Sequence, residues 1–269
     1  LEDNEFGAAV QEVNGAIFVL GTTTQVDPSK DKSATPIDYP DVDITLFKLE
    51  PNQGELVWQK NYGYTGIDEG KDLLDLGNGQ LLILGVTDYP EDGSLDQEVL
   101  LITVNEEGNE SNTRTYGTRG VEEIPSRMSF SGDGQQIGIT GLIIESGLEY
   151  PLFLRVDLQL NPELAPMKIS FIEPDEPTLE PARGFDIEPG ILDENTFIIS
   201  GTGFFDIMLL QIDDQGIVGD RKFIGTDETD EVGGGFVLSE TGATVIGTIG
   251  FIDNSMMILT QTNPFLQVL

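Results

Sequence analysis

In three parts of the chain an adjacent pair of acidic residues stands just ahead of a strand-like run, and these pairs are the side chains best suited to do chemistry. Two carboxylates on either side of a sugar bond can act as acid and base in its cleavage, and several around one point can hold Ca²⁺. The alternative is local ion pairing together with capping of loop amides. The pairs are Asp68 and Glu69, Glu122 and Glu123, and Asp230 and Glu231. The basic residues found in the corresponding part of a unit are Lys71, Arg127 and Arg183.

A second pattern joins an acidic residue to a Tyr-Pro step, and it occurs three times. Proline fixes its own φ and favours an extended conformation in the residue before it, so each tyrosine ring is expected to be held stiffly. Such rings, flanked by carboxylates, could bind a glycan or a peptide by stacking and hydrogen bonding. Alternatively, the ring covers the end of a sheet and the proline prevents edge pairing. The residues are Asp38 and Tyr39, Asp88 and Tyr89, and Glu149 and Tyr150.

Composition removes several classes of function. The chain holds 48 Asp and Glu against 13 Lys and Arg, a formal net charge of −35. Phosphate contacts need clustered basic side chains, so we expect no nucleic-acid partner. Cysteine and histidine are absent, which excludes disulfides, thiolate metal sites and histidine-based catalysis. No apolar run reaches the roughly 18 residues that a membrane helix needs. We expect no cofactor, with Ca²⁺ as the one alternative. The residue spacing of an EF-hand calcium loop does not occur in the sequence.

The elements that must position these side chains follow from a repeat. A glycine ends an apolar run at five places, as in GNGQLLILGVT and NGAIFVLGTTT, and the spacing averages about 56 residues. Each unit contains four short strand-like runs joined by turns rich in Asn, Asp and Gly, which tolerate the positive φ of hairpins. The five glycines are Gly21, Gly85, Gly141, Gly201 and Gly247.

Four antiparallel strands per unit, repeated five times without a helical period, predict an all-β fold: a five-bladed β-propeller. A β-sandwich and a six-bladed propeller are the alternatives. We expect one propeller domain over residues 1–269, with units at 1–66, 67–120, 121–178, 179–228 and 229–269. In this arrangement the strand 2–3 loops and the links between blades share one face, which would carry the Tyr-Pro steps. The acidic pairs, just ahead of each innermost strand, would lie near the mouth of a central channel.

The stretch DITLFKLEPNQGELVWQKNYG, followed by DEG and GNGQLLILGVT, resembles propeller repeats of exported bacterial proteins. Those repeats run as an Asp-led strand, a turn with glycine, a Trp-containing strand ending in Tyr-Gly, and an apolar strand ending in Gly-x-Thr. Only Trp58 keeps the tryptophan here. The resemblance implies the fold and an exported protein of the periplasm or cell surface, with lipid anchoring through a removed N-terminal segment as one option. It implies no reaction.

The function expected from these observations is non-catalytic. No Gly-x-Ser-x-Gly elbow, phosphate loop or dinucleotide fingerprint occurs, and GTGFFD (201–206) has Gly-x-Gly without a following helix. We therefore expect a monomeric binding or scaffolding propeller whose glycan or peptide ligand meets the face with the strand 2–3 loops. The alternatives are a carbohydrate-active enzyme that uses paired carboxylates and a calcium-stabilised structural module.

Overall fold

The chain folds into strands throughout the part that the structure describes. A computed structural model describes residues 5–24, 42–64, 66–88, 96–169, 182–226, 230–250 and 256–269. Nineteen strands lie in these ranges: β1 (Glu5–Val13), β2 (Ala16–Thr23), β3 (Asp43–Leu49), β4 (Leu56–Tyr62), β5 (Asp68–Gly77), β6 (Gln80–Thr87), β7 (Glu98–Asn105), β8 (Glu110–Tyr116), β9 (Val121–Phe130), β10 (Gln136–Glu145), β11 (Leu148–Asp157), β12 (Pro162–Lys168), β13 (Ala182–Pro189), β14 (Phe197–Gly203), β15 (Asp206–Ile212), β16 (Val218–Ile224), β17 (Glu231–Ser239), β18 (Gly242–Ile249) and β19 (Met256–Gln261).

The strands form five antiparallel sheets, each built from consecutive strands. Four sheets have four strands, and the fifth has β17, β18 and β19. In the fifth sheet a single antiparallel bridge between Thr262 and Val268 stands where a fourth strand would run. Sequential meanders of this kind are the blades of a β-propeller, so the predicted fold class is confirmed and the β-sandwich alternative is wrong. We number the blades 1 to 5 in chain order.

The chain divides into two compact units, Leu1–Pro125 and Ser126–Leu269. Blades 1 and 2 belong to the first unit, and blades 4 and 5 belong to the second. In the first unit the core lies between blades 1 and 2, where Ile44 and Leu46 pack against Leu73 and Ile83. In the second unit one core cluster joins blades 3 and 4, and another joins blades 4 and 5. Burial of these aliphatic side chains is what holds successive blades together.

The repeated glycine has a backbone reason that is common to blades 1, 2, 4 and 5. In each of these blades it lies opposite a glycine of the first strand, and the register shifts just after that pair, as a β-bulge. The bulge directs a first-strand carbonyl at the glycine. A β-carbon on Gly21 would stand 2.5 Å from the carbonyl oxygen of Phe6, and one on Gly247 would stand 2.7 Å from that of Val232. Any side chain at these positions would therefore collide with backbone.

One predicted loop is a strand. The step with Glu149 and Tyr150 was expected in a strand 2–3 loop, but β10 and β11 pair as far as Glu145 and Leu148. The two residues between them, Ser146 and Gly147, have φ of 55° and 79° and make a tight hairpin turn. The hairpin continues because Ser-Gly accepts the required φ, so Tyr150 lies within a strand.

Candidate functional site

Three of the acidic residues singled out by the sequence occupy one position of the repeat and are buried there. Asp68, Glu123 and Glu231 stand near or at the start of the first strand of blades 2, 3 and 5, and each is at most 1% exposed. Ala182 has the same position in blade 4 and is also buried. A carboxylate removed from water requires hydrogen-bond donors, so its partners decide whether it has a structural role.

The partners of these carboxylates come from the turn that precedes each first strand. The Tyr64 amide donates to Oδ2 of Asp68 at 2.7 Å. The Thr226 amide donates to Oε2 of Glu231 at 3.2 Å, and the Thr226 hydroxyl lies 3.4 Å from Oε1. Thr118 supplies the corresponding amide and hydroxyl to Glu123. The buried member of each acidic pair therefore caps the link between two blades, which was the structural alternative considered for these residues.

Glu123 is the buried acid of blade 3. Its Oε2 has no hydrogen-bond partner among the described residues, although the side chain is buried. Burial raises the pKa of Glu123 from 4.5 to about 8, the hydrogen bonds from Thr118 oppose the rise, and the neighbouring carboxylates of Glu98 and Asp96 add to it. We therefore expect Glu123 to be protonated at pH 7.

The remaining predicted residues of the acidic pairs are more exposed and do not converge on one point. Glu69 and Lys71 pair with each other at 2.7 Å along the same strand. Glu122 and Arg127 are half-buried in β9, and Asp230 is exposed just before β17. Among the described residues no group of three or more Asp or Glu is arranged to hold a metal ion.

Two of the three Tyr-Pro steps cannot be placed. Asp38, Tyr39 and Tyr89 lie outside the described residues. Asp88 is described, is buried, and accepts a hydrogen bond from the Ile67 amide at 2.6 Å, so it holds the backbone between blades. The third step, with Glu149 and Tyr150, lies in the second unit and can be described in full.

Around this third step the structure gathers charged and aromatic side chains. Nη2 of Arg183 lies 2.6 Å from Oε2 of Glu149, and both side chains remain partly exposed, at 43% and 28%. The ammonium of Lys168 lies 4.9 Å from the ring centre of Tyr150 and pairs with Glu145. Local ion pairing was one of the interpretations that the sequence left open for Arg183. Arg183 pairs instead with the preceding blade, which fixes the guanidinium at the edge of a pocket.

That pocket lies at the end of blade 4 and has a volume of about 290 Å³. Its walls combine one cation with aromatic and aliphatic surface: Arg183, Phe185, Thr202, Phe205 and Val232. The Thr202 hydroxyl accepts a hydrogen bond from the Gly233 amide at 3.0 Å, so this wall is fixed by the next blade. Mostly apolar walls with a few fixed polar groups are typical of small-molecule pockets.

The turn that supplies Phe205 has an unusual backbone. Phe204 and Phe205, with φ of 55° and 63°, form the two-residue turn between β14 and β15. Elsewhere in the chain the same kind of turn is made by Asn14-Gly15 and Ser146-Gly147, which accept positive φ readily. Bulky residues there cost about 1–2 kcal/mol each. Phe204 packs edge-on against Phe223, but Phe205 is 48% exposed. A strained aromatic held at a pocket rim indicates a functional constraint.

We expect the substitution F205G to stabilise the protein. Glycine adopts this φ without strain, while the exposed ring contributes little burial, so the free energy of unfolding should rise by about 0.5–1 kcal/mol. Chemical denaturation measures the change. The matched control is F205A, which removes the ring but keeps a β-carbon at positive φ and should bring no such gain. A loss of stability in F205G would contradict the strain inferred for this turn.

Sequence reasoning missed the Phe204-Phe205 turn. The stretch GTGFFD was set aside because its Gly-x-Gly has no following helix. The available signal was different: two aromatic residues occupy a hairpin turn that other blades build with Asn-Gly or Ser-Gly. The ion pair between Glu149 and Arg183 was also missed, because their contact crosses from one blade to the next.

Comparisons with known proteins identify the fold of the chain but no family. No protein-family model matches the chain, and no curated protein does. A polysaccharide lyase of family PL25, an ulvan lyase, superposes with a TM-score of 0.59 at 9% identity, over 95% of this chain and 64% of that one. A sialidase of Trypanosoma rangeli gives 0.55 at 8% identity, over 96% and 44%. The dihydro-heme d1 dehydrogenase NirN gives 0.50 at 15% identity, over 97% and 55%.

The chain spans from under half to about two thirds of these proteins, and at such identities the likeness shows the fold. No helix among the described residues is long and apolar enough to span a membrane. The comparisons also correct one expectation from the sequence. A non-catalytic binding or scaffolding propeller was expected, but the structures of this fold include a polysaccharide lyase and a sialidase. The expectation of a non-catalytic propeller is therefore wrong.

Proposed function

We propose that this protein is a carbohydrate-active enzyme that cleaves glycosidic bonds at the pocket of blade 4. The observation that supports the proposal is the pocket itself, where a partly exposed Arg183–Glu149 ion pair borders a wall made of Phe185 and Phe205. Sugar rings stack on aromatic side chains and present hydroxyl or carboxylate groups to a guanidinium. The propeller fold shared with a polysaccharide lyase and a sialidase agrees with this chemistry.

The two charged side chains have distinct roles in this proposal. Arg183 binds the sugar and stabilises negative charge that develops on it during cleavage. In an elimination on a uronic acid, Glu149 takes up the proton of the carbon next to the sugar carboxylate, the electron pair forms a carbon–carbon double bond, and the bond to the departing glycosidic oxygen breaks. Glu149 then returns the proton to that oxygen. Glu123 and Glu231 are 1% exposed and cannot contact a glycan, so they have no catalytic role in this proposal. Phe205 and Phe185 position the ring.

A substrate screen tests the proposal. The protein is incubated with neutral, uronic-acid-containing, sulfated and sialylated glycans, and both new reducing ends and unsaturated products are measured. We expect turnover on at least one class. R183A and E149Q should each lower kcat/KM at least about 100-fold, the cost of losing a charged group that acts in the transition state.

The matched control is E106Q. Glu106 also forms a partly exposed ion pair, 3.6 Å from Lys48, but in the first unit. E106Q should keep wild-type activity. No turnover on any glycan class, or turnover that R183A and E149Q leave unchanged, would contradict the proposed function or its site.

An exported location is proposed together with this activity. It is supported by the resemblance of the repeats to those of exported bacterial proteins, and polysaccharides are abundant outside cells. Fractionation of the cells that produce the protein, followed by measurement of its glycan-cleaving activity in each fraction, tests it. Activity confined to the cytoplasmic fraction would contradict it.

A further inference from the structure

A second concave surface lies between the outer strands of blades 3 and 4, within the second unit. This outer groove runs between β12 and β16 and has a volume of about 570 Å³. Its apolar walls include Met167, Ile169 and Val218, and Gly216 and Gly219 leave part of the wall without side chains. Ile169 belongs to the core cluster that joins the two blades, and Met167 and Val218 pack against that cluster. The walls of the groove are therefore held in place by the core.

The outer groove differs in charge from the chain as a whole. The residues that line it include two cations, Lys168 and Arg221, and no acid. The chain holds 48 Asp and Glu against 13 Lys and Arg, so a wall with only cations is unusual for it. A concave surface of one sign concentrates ligands of the opposite sign. The groove is therefore suited to an anionic ligand.

The register of blade 4 shows that Arg221 faces into the groove. Arg221 pairs with Leu210, which lies in the core cluster between blades 3 and 4. Residues that pair across two strands share one face of the sheet, so the exposed Arg221 side chain turns toward blade 3. The next residue, Lys222, pairs with Leu209, which packs toward blade 5. Two adjacent cations thus lie on opposite faces of β16, and a ligand in the groove meets the guanidinium.

The outer groove lies close to the ion pair at the edge of the pocket. The amide of Ile169, on the wall of the groove, donates to the Pro151 carbonyl at 2.9 Å. Pro151 follows Glu149 by two residues in β11, which is a distance of about 7 Å along a strand. Glu149 in turn holds the guanidinium of Arg183. The pocket and the groove are thus close enough to bind neighbouring units of one glycan chain.

We infer that the outer groove binds an acidic group of the same glycan, so that the substrate is a polysaccharide with carboxylate or sulfate groups on more than one of its sugar units. The inference rests on the proposed function, because it takes the pocket to hold the sugar at which the bond breaks. Arg183 meets the acidic group of that sugar, and Arg221 meets the acidic group of a sugar further along the chain. A planar guanidinium can donate two parallel hydrogen bonds to such a group.

Binding of oligosaccharides of two lengths tests the inference independently of turnover. Every protein carries E149Q, so that the probe is not consumed, and calorimetry in about 0.05 M NaCl measures its affinity. The probes are oligogalacturonates and sulfated dextran oligomers of two and six units, with a neutral dextran hexamer for comparison. R221A should weaken binding of an acidic hexamer about tenfold, the effect of one lost charge-assisted contact. It should leave binding of the dimer unchanged, because the dimer fills only the pocket, whereas R183A should weaken both.

The matched control is K222A. Lys222 is the next cation of β16 but faces blade 5, so K222A should bind every oligomer as the E149Q protein does. Acidic hexamers that bind no better than the neutral hexamer, or that bind equally well after R221A, overturn the inference.

The same measurements separate this inference from the proposed function. Turnover that R183A and E149Q abolish, in a protein whose hexamer binding does not respond to R221A, supports the enzyme and overturns the role of the groove. Hexamer binding that R221A weakens, in a protein without turnover on any glycan, supports the groove as a polyanion site and contradicts the enzyme activity.

Discussion

The E123Q variant should unfold with a higher free energy than the wild type at pH 8 and with nearly the same free energy at pH 4. Glutamine has the shape of the protonated acid and can still accept the hydrogen bonds of Thr118. It cannot ionise. The wild-type protein keeps a proton on Glu123 that the unfolded chain releases, because burial raises the pKa of this carboxyl from 4.5 to about 8.

The direction of the pH dependence follows from proton binding. Between about pH 4.5 and 8 the folded protein binds more protons than the unfolded chain, so the contribution of Glu123 to stability falls as pH rises and levels off above pH 8. The limit is about 1.4 kcal/mol per pH unit. The turn over Glu123 is exposed, and screening by solvent brings the expected total to about 2–3 kcal/mol. Denaturant unfolding of both proteins from pH 4 to 9 measures the difference.

The equivalent residue in blade 5 supplies a control of opposite sign. Both oxygens of Glu231 lie within hydrogen-bond distance of Thr226 donors, so E231Q replaces an acceptor with an amide group that cannot accept. We expect E231Q to lower the free energy of unfolding by about 1–2 kcal/mol at pH 7. Wild-type and E123Q stabilities that run parallel across the pH range would show that Glu123 is ionised in the folded protein.

The sequence predicted the fold better than it predicted the site, and the acidic pairs show why. Their repeated position predicted that Asp68, Glu123 and Glu231 share one place in successive blades, and the structure agrees because strand and turn patterns are local. Whether a carboxylate at that place faces solvent or caps a turn depends on the preceding link, such as Gly63-Tyr64 before Asp68. The two partners of that hydrogen bond are only four residues apart in the sequence, but neither the composition nor the repeat pattern indicates the bond.

The pocket was less predictable because its members come from different blades. Glu149 and Arg183 are 34 residues apart, and their contact depends on how one blade stacks on the next. The Tyr-Pro pattern directed attention to Glu149, which pairs with Arg183 of the pocket wall. The other wall, at Phe205, depends on a strained turn whose residues look like an ordinary apolar pair in the sequence.

The second large effect concerns the glycine that marks the repeat, and it connects the fold to the pocket. A β-carbon on Gly201 would overlap the carbonyl oxygen of Arg183 and stand 3.0 Å from the α-carbon of Gly184. Both obstacles are backbone and cannot rotate away, so G201A must push β13 from β14. We expect a loss of about 3 kcal/mol in the free energy of unfolding, at the upper end of typical overpacking costs.

Two further glycines calibrate this prediction. On Gly85 the added β-carbon would meet the Glu69 carbonyl oxygen at 2.9 Å and the flexible end of Ile44, so G85A should cost less than G201A. On Gly219 its nearest neighbour would be the Gln211 carbonyl oxygen at an ordinary 3.8 Å, so G219A should be close to neutral. Equal stability of G201A and G219A would mean that the bulge relaxes and that the glycine is not required by the backbone.

The effect of G201A can also be measured on enzyme activity. The displaced strand carries Arg183, so G201A should lower kcat/KM on the glycan found by the substrate screen even where the protein is fully folded, at low temperature and without denaturant. A misplacement of about 1 Å can cost on the order of 100-fold in rate. G85A, whose strain falls on blades 1 and 2, should keep its activity while it is folded. The repeated glycine thus sets the position of a side chain proposed to bind substrate, because the β-bulge that packs against Gly201 also places Arg183.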